Sequence, residues 1–124
     1  MKKFRILIVD DNDFFRKALV ERLQMSFPAA TINEVADGGK ALREIDASLP
    51  DLIFMDIKIS GENGLELTKT IKAAHPNIII FIITSYDLFE YRDAASQHGA
   101  NRFLAKDSFN WSELEELVKS YQKV

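Results

Sequence analysis

The sequence predicts an α/β fold in which helices cover both faces of a mostly parallel, five-stranded sheet. Five short apolar runs alternate along the chain with segments whose apolar residues recur at helical spacing. The runs are almost continuously apolar, which is typical of parallel strands buried on both faces. No stretch has the composition of a linker or a repeat, so we expect a single domain spanning residues 1–124.

The five apolar runs have the length of strands and end at polar or turn-forming residues. They occupy residues 4–9, 31–35, 52–55, 78–83 and 102–105. The second run and the fourth helical segment carry the weakest patterns of the series.

The first two helical segments follow the first two strands. The first segment is stopped by Pro28. Its apolar positions are Phe14, Phe15, Ala18, Leu19 and Leu23. Gly38 and Gly39 open the second segment. Its apolar face consists of Ala41, Leu42 and Ile45.

Three further helical segments follow the remaining strands. A loop of turn-forming residues, 60–64, leads into the third segment, which residues 75–77 end. Its side chains one turn apart are Leu65, Thr68, Ile71 and Lys72. The fourth segment, residues 86–98, is closed by Gly99 in the C′ position. Asn110 and Glu113 form a capping pair for the last segment. Its buried face is predicted to be Leu114, Leu117, Val118 and Tyr121.

Composition limits the function that this domain can have. The 124 residues are 47% apolar and 28% charged, with a net charge of -3, an ordinary globular balance. There is no basic stripe, so we expect no direct binding of nucleic acid. The absence of cysteine excludes disulfides, thiolate metal sites and thiol catalysis. The longest apolar stretch, residues 78–84, is too short to cross a bilayer, and no signal peptide is indicated, so we expect a cytoplasmic protein without membrane contact.

Reactive polar residues stand where four of the five apolar runs end. They are Asp10 with Asp11, Asp56, Thr84 and Lys106. The carboxyl ends of parallel strands meet at one edge of the sheet, where ligands bind, so these side chains should converge. Clustered carboxylates favour a hard cation with oxygen ligands such as Mg²⁺. A lysine and a threonine beside it suit phosphate oxygens, so the set predicts phosphoryl transfer to an aspartate.

Taken singly, each of these residues has an ordinary explanation. Lys106 could be a surface lysine, Thr84 a strand-end residue and Asp56 the start of a turn. We expect Asp13, the remaining acid of the first loop, to cap the first helix. His75 and His98 carry no catalytic pattern, and His98 should lie at a helix C-terminus. The functional prediction therefore depends on reactive polar residues occurring together at the ends of four apolar runs, and not on any one of them.

With these motifs in place, the chain resembles a response-regulator receiver domain of two-component signalling. The resemblance covers essentially all 124 residues and rests on ILIVDDND, LIFMDIKISGENGLEL, IIIFIITS and ANRFLAKD, in that order. It implies a flavodoxin-like, doubly wound parallel sheet with strand order 2-1-3-4-5. It also implies a phosphorylation-dependent switch that catalyses only its own phosphotransfer and dephosphorylation.

The same resemblance implies a role for each pocket residue. Asp56 would accept the phosphoryl group. Asp11 would bind Mg²⁺ directly, with Asp10 helping directly or through water, and with Asp56 and the backbone carbonyl of Lys58 as further ligands. Thr84 and Lys106 would hold phosphoryl oxygens. Thr84 and Phe103 would carry the switch to the face formed by the fourth helix, the fifth strand and the last helix.

Three positions depart from the common family pattern. Ser60 and Asp107 stand where proline is frequent, and Phe103 stands where tyrosine is frequent. No departure removes a functional group from the pocket. Because residue 107 is not proline, we expect the Lys106–Asp107 peptide bond to be trans.

The resemblance also implies partners. These are a sensor histidine kinase or phosphotransfer protein and a downstream effector domain or protein. A phosphorylation-dependent homodimer with a second copy is a further option that the resemblance leaves open. The chain could be a single-domain regulator or a piece of a longer protein.

Three other functions stay open at this point. A Mg²⁺-dependent phosphatase with an aspartyl-phosphate intermediate would commonly have an acid at position 58, where this chain has Lys58. A flavin-binding electron carrier would need a phosphate-binding loop after the first strand, where DDNDFF would repel phosphate. An interaction module of the same fold would not be phosphorylated.

Overall fold

A computed structural model describes residues 3–122 and contains one five-stranded parallel sheet with five helices around it. The strands are β1 Arg5–Val9, β2 Thr31–Val35, β3 Leu52–Met55, β4 Lys58–Ile59, β5 Glu62–Asn63, β6 Ile79–Thr84 and β7 Arg102–Ala105. The helices are α1 Asp13–Ser26, α2 Gly38–Ala47, α3 Gly64–Ala74, α4 Phe89–Gln97 and α5 Trp111–Gln122. Met1, Lys2, Lys123 and Val124, which the predicted domain includes, lie outside the described residues.

The main sheet has the order β2-β1-β3-β6-β7, with every neighbouring pair parallel. Counting only its own five strands, this order is 2-1-3-4-5, so the predicted fold class and strand order are confirmed. The short strands β4 and β5 form a separate antiparallel hairpin, which begins two residues before the predicted loop of residues 60–64 and overlaps it. Gly61, at the tip of this hairpin, has a φ of 74°, which glycine adopts without a steric penalty.

The apolar strands supply two core layers because successive side chains of a strand point to opposite faces. On one face, Leu7, Ile53 and Ile80 pack in a layer that includes residues of α2, α3 and α4. On the other face, Ile6 and Phe54 belong to a layer that includes residues of α1 and α5. Helices therefore cover both faces. Because the strands are all parallel, their carboxyl ends lie at the same edge of the sheet. No helix within residues 3–122 has both the length and the apolar character needed to cross a bilayer.

The helices differ from the sequence pattern in one buried face and in one start. In α1, Leu19 and Leu23 are buried as expected, but Phe14 is 87% exposed and Ala18 is also exposed. The fourth helix begins at Phe89 rather than at residue 86. Its N-cap, Leu88, offers no side-chain hydrogen bond, so nothing in the side chains extends the helix further back.

Asp13 does not cap the first helix, which corrects the sequence prediction. The N-cap is Asn12, whose backbone is extended and whose side-chain oxygen accepts a hydrogen bond from the Phe15 N–H at 3.0 Å. Asp13 is the first helical residue, and its carboxylate forms an ion pair with Arg16. Both residue types cap helices well, so the position of the cap depended on which side chain had another partner.

Other local predictions are confirmed. Asn110 accepts a hydrogen bond from the Glu113 N–H at 3.1 Å and so caps α5. Gly99 follows the C-cap His98 with a φ of 95°, the conformation expected at C′. Peptide bonds of the described residues are all trans, including the bond between Lys106 and Asp107.

The start of α3 packs directly on the backbone that follows β3. The Gly64 N–H donates a hydrogen bond to the Ile57 carbonyl at 2.6 Å. A Cβ atom added at Gly64 would lie 1.8 Å from the Asp56 carbonyl oxygen, far inside van der Waals contact. Only glycine fits there, because the contact is with backbone that cannot move without displacing Asp56.

We expect Gly64→Ala to lower the free energy of unfolding by about 3 kcal/mol or more, at the upper end of overpacking costs. The measurement is chemical unfolding without metal. Gly39→Ala is the matched control, since Gly39 also lies in the first turn of a helix but a Cβ there would meet only ordinary contacts at 3.5 and 3.8 Å. That variant should lie within about 1 kcal/mol of wild type, because alanine favours the helix. Equal stability of the two variants would contradict the close approach.

Candidate functional site

The predicted polar residues converge at the carboxyl edge of the sheet. Asp10, Asp56 and Lys106 each come directly after a strand, and Thr84 ends β6. Hydrogen bonds between neighbouring strand ends continue past these points. They join the Asp56 N–H to the Val9 carbonyl at 3.0 Å and the Lys106 N–H to the Thr84 carbonyl at 2.8 Å. The strand pairing itself therefore fixes the backbone beneath each functional side chain.

Three carboxylates form the acidic part of this site. Asp10, Asp11 and Asp56 each offer an oxygen, and these oxygens lie within 4.8 Å of one another. Asp10 is 1% and Asp56 5% exposed, whereas Asp11 is open to solvent. The Asp10 Oδ2 atom is buried, and its polar partner is the Lys106 ammonium, in an ion pair rather than a hydrogen bond of good geometry. An all-oxygen set with one side open fits Mg²⁺, which prefers oxygen ligands and retains several waters.

Lys106 compensates the two buried carboxylates. Its Nζ lies 2.8 Å from Asp10 Oδ2 and 3.0 Å from Asp56 Oδ2. The ammonium also lies 4.5 Å from the centroid of the Phe15 ring, which covers it from the side of α1. Burial would lower the pKa of Lys106, but the carboxylates of Asp10 and Asp56 outweigh it, so the pKa is raised and the charge is kept.

The remaining oxygens of the two buried carboxylates are held by backbone. Asp56 Oδ1 accepts from the Ile57 N–H at 2.7 Å, and Asp10 Oδ1 accepts from the Asn12 N–H at 2.8 Å. Burial raises the pKa of Asp10, and the nearby Asp56 carboxylate acts in the same direction. The pocket thus holds more negative charge than one lysine neutralises, which favours a cation.

Thr84 is fully buried at the end of β6, next to the pocket backbone. Its hydroxyl oxygen accepts a hydrogen bond from the Tyr86 N–H at 3.3 Å. Because the hydroxyl acts there as an acceptor, its proton stays available for a phosphate oxygen. Thr84 directly precedes the loop that leads to α4, so a movement of Thr84 would displace residues 85–88.

Lys58 lies in the hairpin beyond Asp56, and its exposed side chain extends over the Tyr86 ring, with Nζ 4.3 Å from the centroid. The role of its backbone carbonyl as a metal ligand stays a prediction. Phe103 is half-buried in β7 beside Ile82, and the Arg92 guanidinium lies 4.6 Å from its ring centroid. His98 is the C-cap of α4, which confirms its predicted place at a helix C-terminus, and its Nε2 lies 3.5 Å from a Glu66 carboxylate oxygen.

Sequence reasoning missed three residues that shape this site. Arg16 is 8% exposed and donates a hydrogen bond to the Asp10 carbonyl at 2.7 Å. The Ser60 hydroxyl donates to Asp11 Oδ2 at 3.2 Å. Gly64 permits the close approach to the Asp56 carbonyl. A charged residue one helical turn before Leu19, on the buried side of α1, was the available signal for Arg16.

Comparison with known proteins gives a consistent result. The family model described as the response regulator receiver domain matches residues 6–119. The chain is 35% identical over 121 residues to the sensory transduction protein LytT of Bacillus subtilis, covering 97% of this chain and 48% of that protein. It is 31% identical over 107 residues to the probable transcriptional regulatory protein NarL of Mycobacterium tuberculosis, covering 86% of this chain and 50% of that protein. The chain therefore spans about half the length of these curated relatives.

Solved structures agree on the fold. The signal receiver domain of a DNA binding response regulator from Colwellia psychrerythraea superimposes with a TM-score of 0.93 at 26% identity, covering 98% of this chain and all of that one. The topology observed here is thus that of a receiver domain over nearly its whole length.

We expect Lys106→Met to lower the free energy of unfolding of the metal-free protein by about 3 kcal/mol, because it leaves two buried carboxylates without a cation. Chemical unfolding in the presence of a chelator measures this. Adding Asp10→Asn should recover part of the loss, and millimolar Mg²⁺ should narrow the difference from wild type.

Lys119→Met is the matched control for this experiment. Lys119 is 58% exposed and its Nζ lies 3.5 Å from a Glu116 oxygen, so its removal should cost less than about 1 kcal/mol. If the two methionine variants were equally stable, the compensating role of Lys106 would be wrong.

Proposed function

This chain belongs to the response regulator receiver domain family, and we propose that it is a signalling switch set by phosphorylation of Asp56. The observation that carries the proposal is that the Lys106 ammonium contacts the buried carboxylates of Asp10 and Asp56, and that Asp56 directly follows β3. A site that only needed stability would not bury unequal charge at a sheet edge. A site that receives a phosphoryl group gains from it, because Lys106 is already in place and the three carboxylates could hold a cation beside it.

The proposed reaction is transfer from a phosphohistidine. An oxygen of Asp56 attacks phosphorus, a P–O bond forms, and the P–N bond to the donor imidazole breaks, leaving an acyl phosphate on Asp56. The donor nitrogen is then protonated by solvent. We propose that the donor is a sensor histidine kinase or a phosphotransfer protein, consistent with the family.

Chain residues would divide the work of stabilising the transferred group. Lys106 already touches Asp56 Oδ2, so its ammonium can follow the negative charge onto the phosphoryl oxygens. The Thr84 hydroxyl can turn from the Tyr86 N–H to donate to another phosphoryl oxygen. Mg²⁺ held by Asp10, Asp11, Asp56 and the Lys58 carbonyl would offset the charge that builds up on the group in transfer.

The alternatives receive no support from the site. A phosphatase would use an acid at position 58, but Lys58 occupies it and its side chain is turned to Tyr86. A flavin carrier would place phosphate at the β1–α1 loop, where Asp10 and Asp11 belong to the acidic cluster. We propose that the domain catalyses only its own phosphorylation and dephosphorylation and turns over no external substrate.

The output would pass to a separate partner. Since the chain spans about half of its curated relatives, we propose an effector domain or effector protein as the recipient, with a phosphorylation-dependent homodimer as one form of output. Nucleic acid would then be contacted, if at all, by the effector and not by this acidic domain. We propose that the protein works in the cytoplasm, the usual location of the family.

The contacts around α4 suggest how the change would reach the surface. Asp87 lies in the loop after Thr84 and pairs with Arg92 at 2.5 Å, and Arg92 covers the ring of Phe103. Movement of Thr84 toward a phosphoryl group would displace this loop and loosen the cover on Phe103. The face formed by α4, β7 and α5 would then change shape.

Asp56→Asn should abolish most phosphorylation by acetyl phosphate and Mg²⁺, since the amide cannot form a stable acyl phosphate. Intact mass spectrometry measures the adduct. Asp46→Asn, which changes an exposed acid of α2, should label like wild type. Equal labelling of Asp56→Asn and wild type would refute the assignment.

Beryllofluoride with Mg²⁺, which mimics the phosphoryl group, should shift the NMR signals of residues 84–97 and of the Phe103 ring in addition to those around Asp56. Thr84→Ala should confine the shifts to the loops that carry Asp11 and Asp56, because the link to the loop before α4 is then absent. The proposed route would be wrong if Phe103 and residues 86–98 were unmoved in wild type.

A further inference from the structure

Arg16 occupies an unusual place for an arginine on the surface helix α1. It is 8% exposed, and each of its nitrogens has a polar partner at the same distance. Nε donates to Glu34 Oε1, Nη1 donates to the Asp10 carbonyl oxygen, and Nη2 pairs with Asp13 Oδ1, all at 2.7 Å. A planar guanidinium with three short contacts is held in one orientation.

These contacts join three parts of the chain. Glu34 belongs to β2 and is paired in register with Ile8 of β1, so it is a fixed support. Lys17 also reaches the same Glu34 oxygen, at 3.1 Å. The Glu34 hydrogen bond raises the pKa of Arg16 although burial acts in the opposite direction, so the charge is permanent. Arg16 therefore connects the rigid sheet to the loop between β1 and α1.

The contact with the Asp10 carbonyl bears directly on the acidic cluster. That carbonyl is half of the peptide group joining Asp10 to Asp11, so fixing it sets the direction in which the Asp11 side chain leaves the backbone. On the other side of Asp10, the N–H donates to the Val35 carbonyl at 3.2 Å. The acid pair is thus held from both sides, by the sheet and by Arg16.

Arg16 also separates the carboxylates of this loop. Among the described residues, the cluster able to hold a cation contains Asp10, Asp11 and Asp56, and Asp13 is not in it. Asp13 is 82% exposed and is turned toward Arg16. The Arg16 guanidinium therefore helps to orient Asp10 and Asp11 toward the pocket, and its ion pair holds Asp13 on helix α1.

We propose that Arg16 is a positioning residue for the divalent-cation site, setting the orientation of Asp11 through the Asp10 carbonyl and withholding Asp13. The inference rests on the proposed function, since it assumes that Asp10, Asp11 and Asp56 bind Mg²⁺. Arg16 itself contacts neither the cation nor the phosphoryl group.

Two effects of Arg16 on metal binding oppose one another. Its positive charge repels a cation, but that charge already faces the carboxylates of Glu34 and Asp13, which offset it at 2.7 Å. Its orienting effect has no such cancellation, and groups that orient metal ligands typically change metal affinity by about tenfold or more. The orienting effect should therefore dominate, and losing Arg16 should weaken Mg²⁺ binding.

The test compares Arg16→Lys, Arg16→Gln and the control Lys17→Gln in the full chain. Arg16→Lys keeps the charge without the planar fork, whereas Arg16→Gln removes both. Lys17→Gln removes a neighbouring charge that also pairs with Glu34 but does not reach Asp10. Mg²⁺ affinity is measured by titration of NMR amide shifts, amide exchange of Asn12 is measured without metal, and thermal unfolding is recorded separately.

Both Arg16 variants should bind Mg²⁺ about tenfold more weakly than wild type and exchange the Asn12 amide faster. Lys17→Gln should stay within about twofold of wild-type affinity. Unchanged Mg²⁺ affinity in folded Arg16→Lys, with only a lower unfolding temperature, would overturn the inference in favour of a structural role. Tighter binding by Arg16→Gln, with wild-type binding by Arg16→Lys, would also overturn it, in favour of a charge effect.

Comparison of wild type with Asp11→Asn distinguishes failure of this inference from failure of the proposed function on which it rests. Wild type that binds no Mg²⁺, or Asp11→Asn that binds as well as wild type, would overturn the metal site and the inference together. Wild type that binds, Asp11→Asn that does not, and Arg16 variants that match wild type would overturn the inference alone. If Arg16→Gln fails to fold, Arg16→Lys decides the question, because it keeps the aliphatic stem and the charge.

Discussion

The ion pairs between Lys106 and the carboxylates of Asp10 and Asp56 are the interaction on which the rest of the site depends. Two carboxylates that are nearly inaccessible to water would repel each other and disfavour folding. Lys106 lies within 3.0 Å of both and makes their burial tolerable. Its own burial is in turn tolerable because both acids lie within 3.0 Å of its ammonium. A change in any one of the three therefore alters the charge balance of the other two.

This arrangement is possible because the strands are parallel. Asp10, Asp56 and Lys106 are the first residues after β1, β3 and β7, and the order of the sheet brings those ends to one edge. Much of this could be predicted from the sequence, since continuous apolar runs indicate strands and their last residues are visible by inspection. The strands β3 and β7 have the predicted bounds for the same reason, and β2 also has its predicted bounds although its run is only partly apolar.

What the sequence did not predict depends on contacts between distant residues. Asn12 rather than Asp13 caps α1 because Arg16 draws the Asp13 carboxylate, and Arg16 is oriented by Glu34 on another strand. The need for glycine at position 64 arises where α3 meets the backbone of Asp56, and no local pattern marks such an approach. The start of α4 was placed too early because helical spacing continues through residues that lack a capping side chain. Local patterns define elements, whereas tertiary partners decide caps and supports.

The residues around α4 explain why a change at Asp56 would be directed there rather than into the sheet. Strand β6 is paired on both sides and its side chains are buried, so Thr84 can move only by carrying the loop after it. In that loop, Leu88 is 48% exposed and caps α4 without a side-chain hydrogen bond, and the following Phe89 is 77% exposed. The side chains of Leu88 and Phe89 lose little buried surface when this segment moves, so their displacement requires little free energy. Phe103 has no hydroxyl to anchor it in either state, and its position would follow from which surface, Arg92 or the core, covers its ring. The phosphoryl group would therefore need to supply the difference in free energy between a ring covered by Arg92 and a ring packed on the core, and the contacts it makes with charged groups are its source.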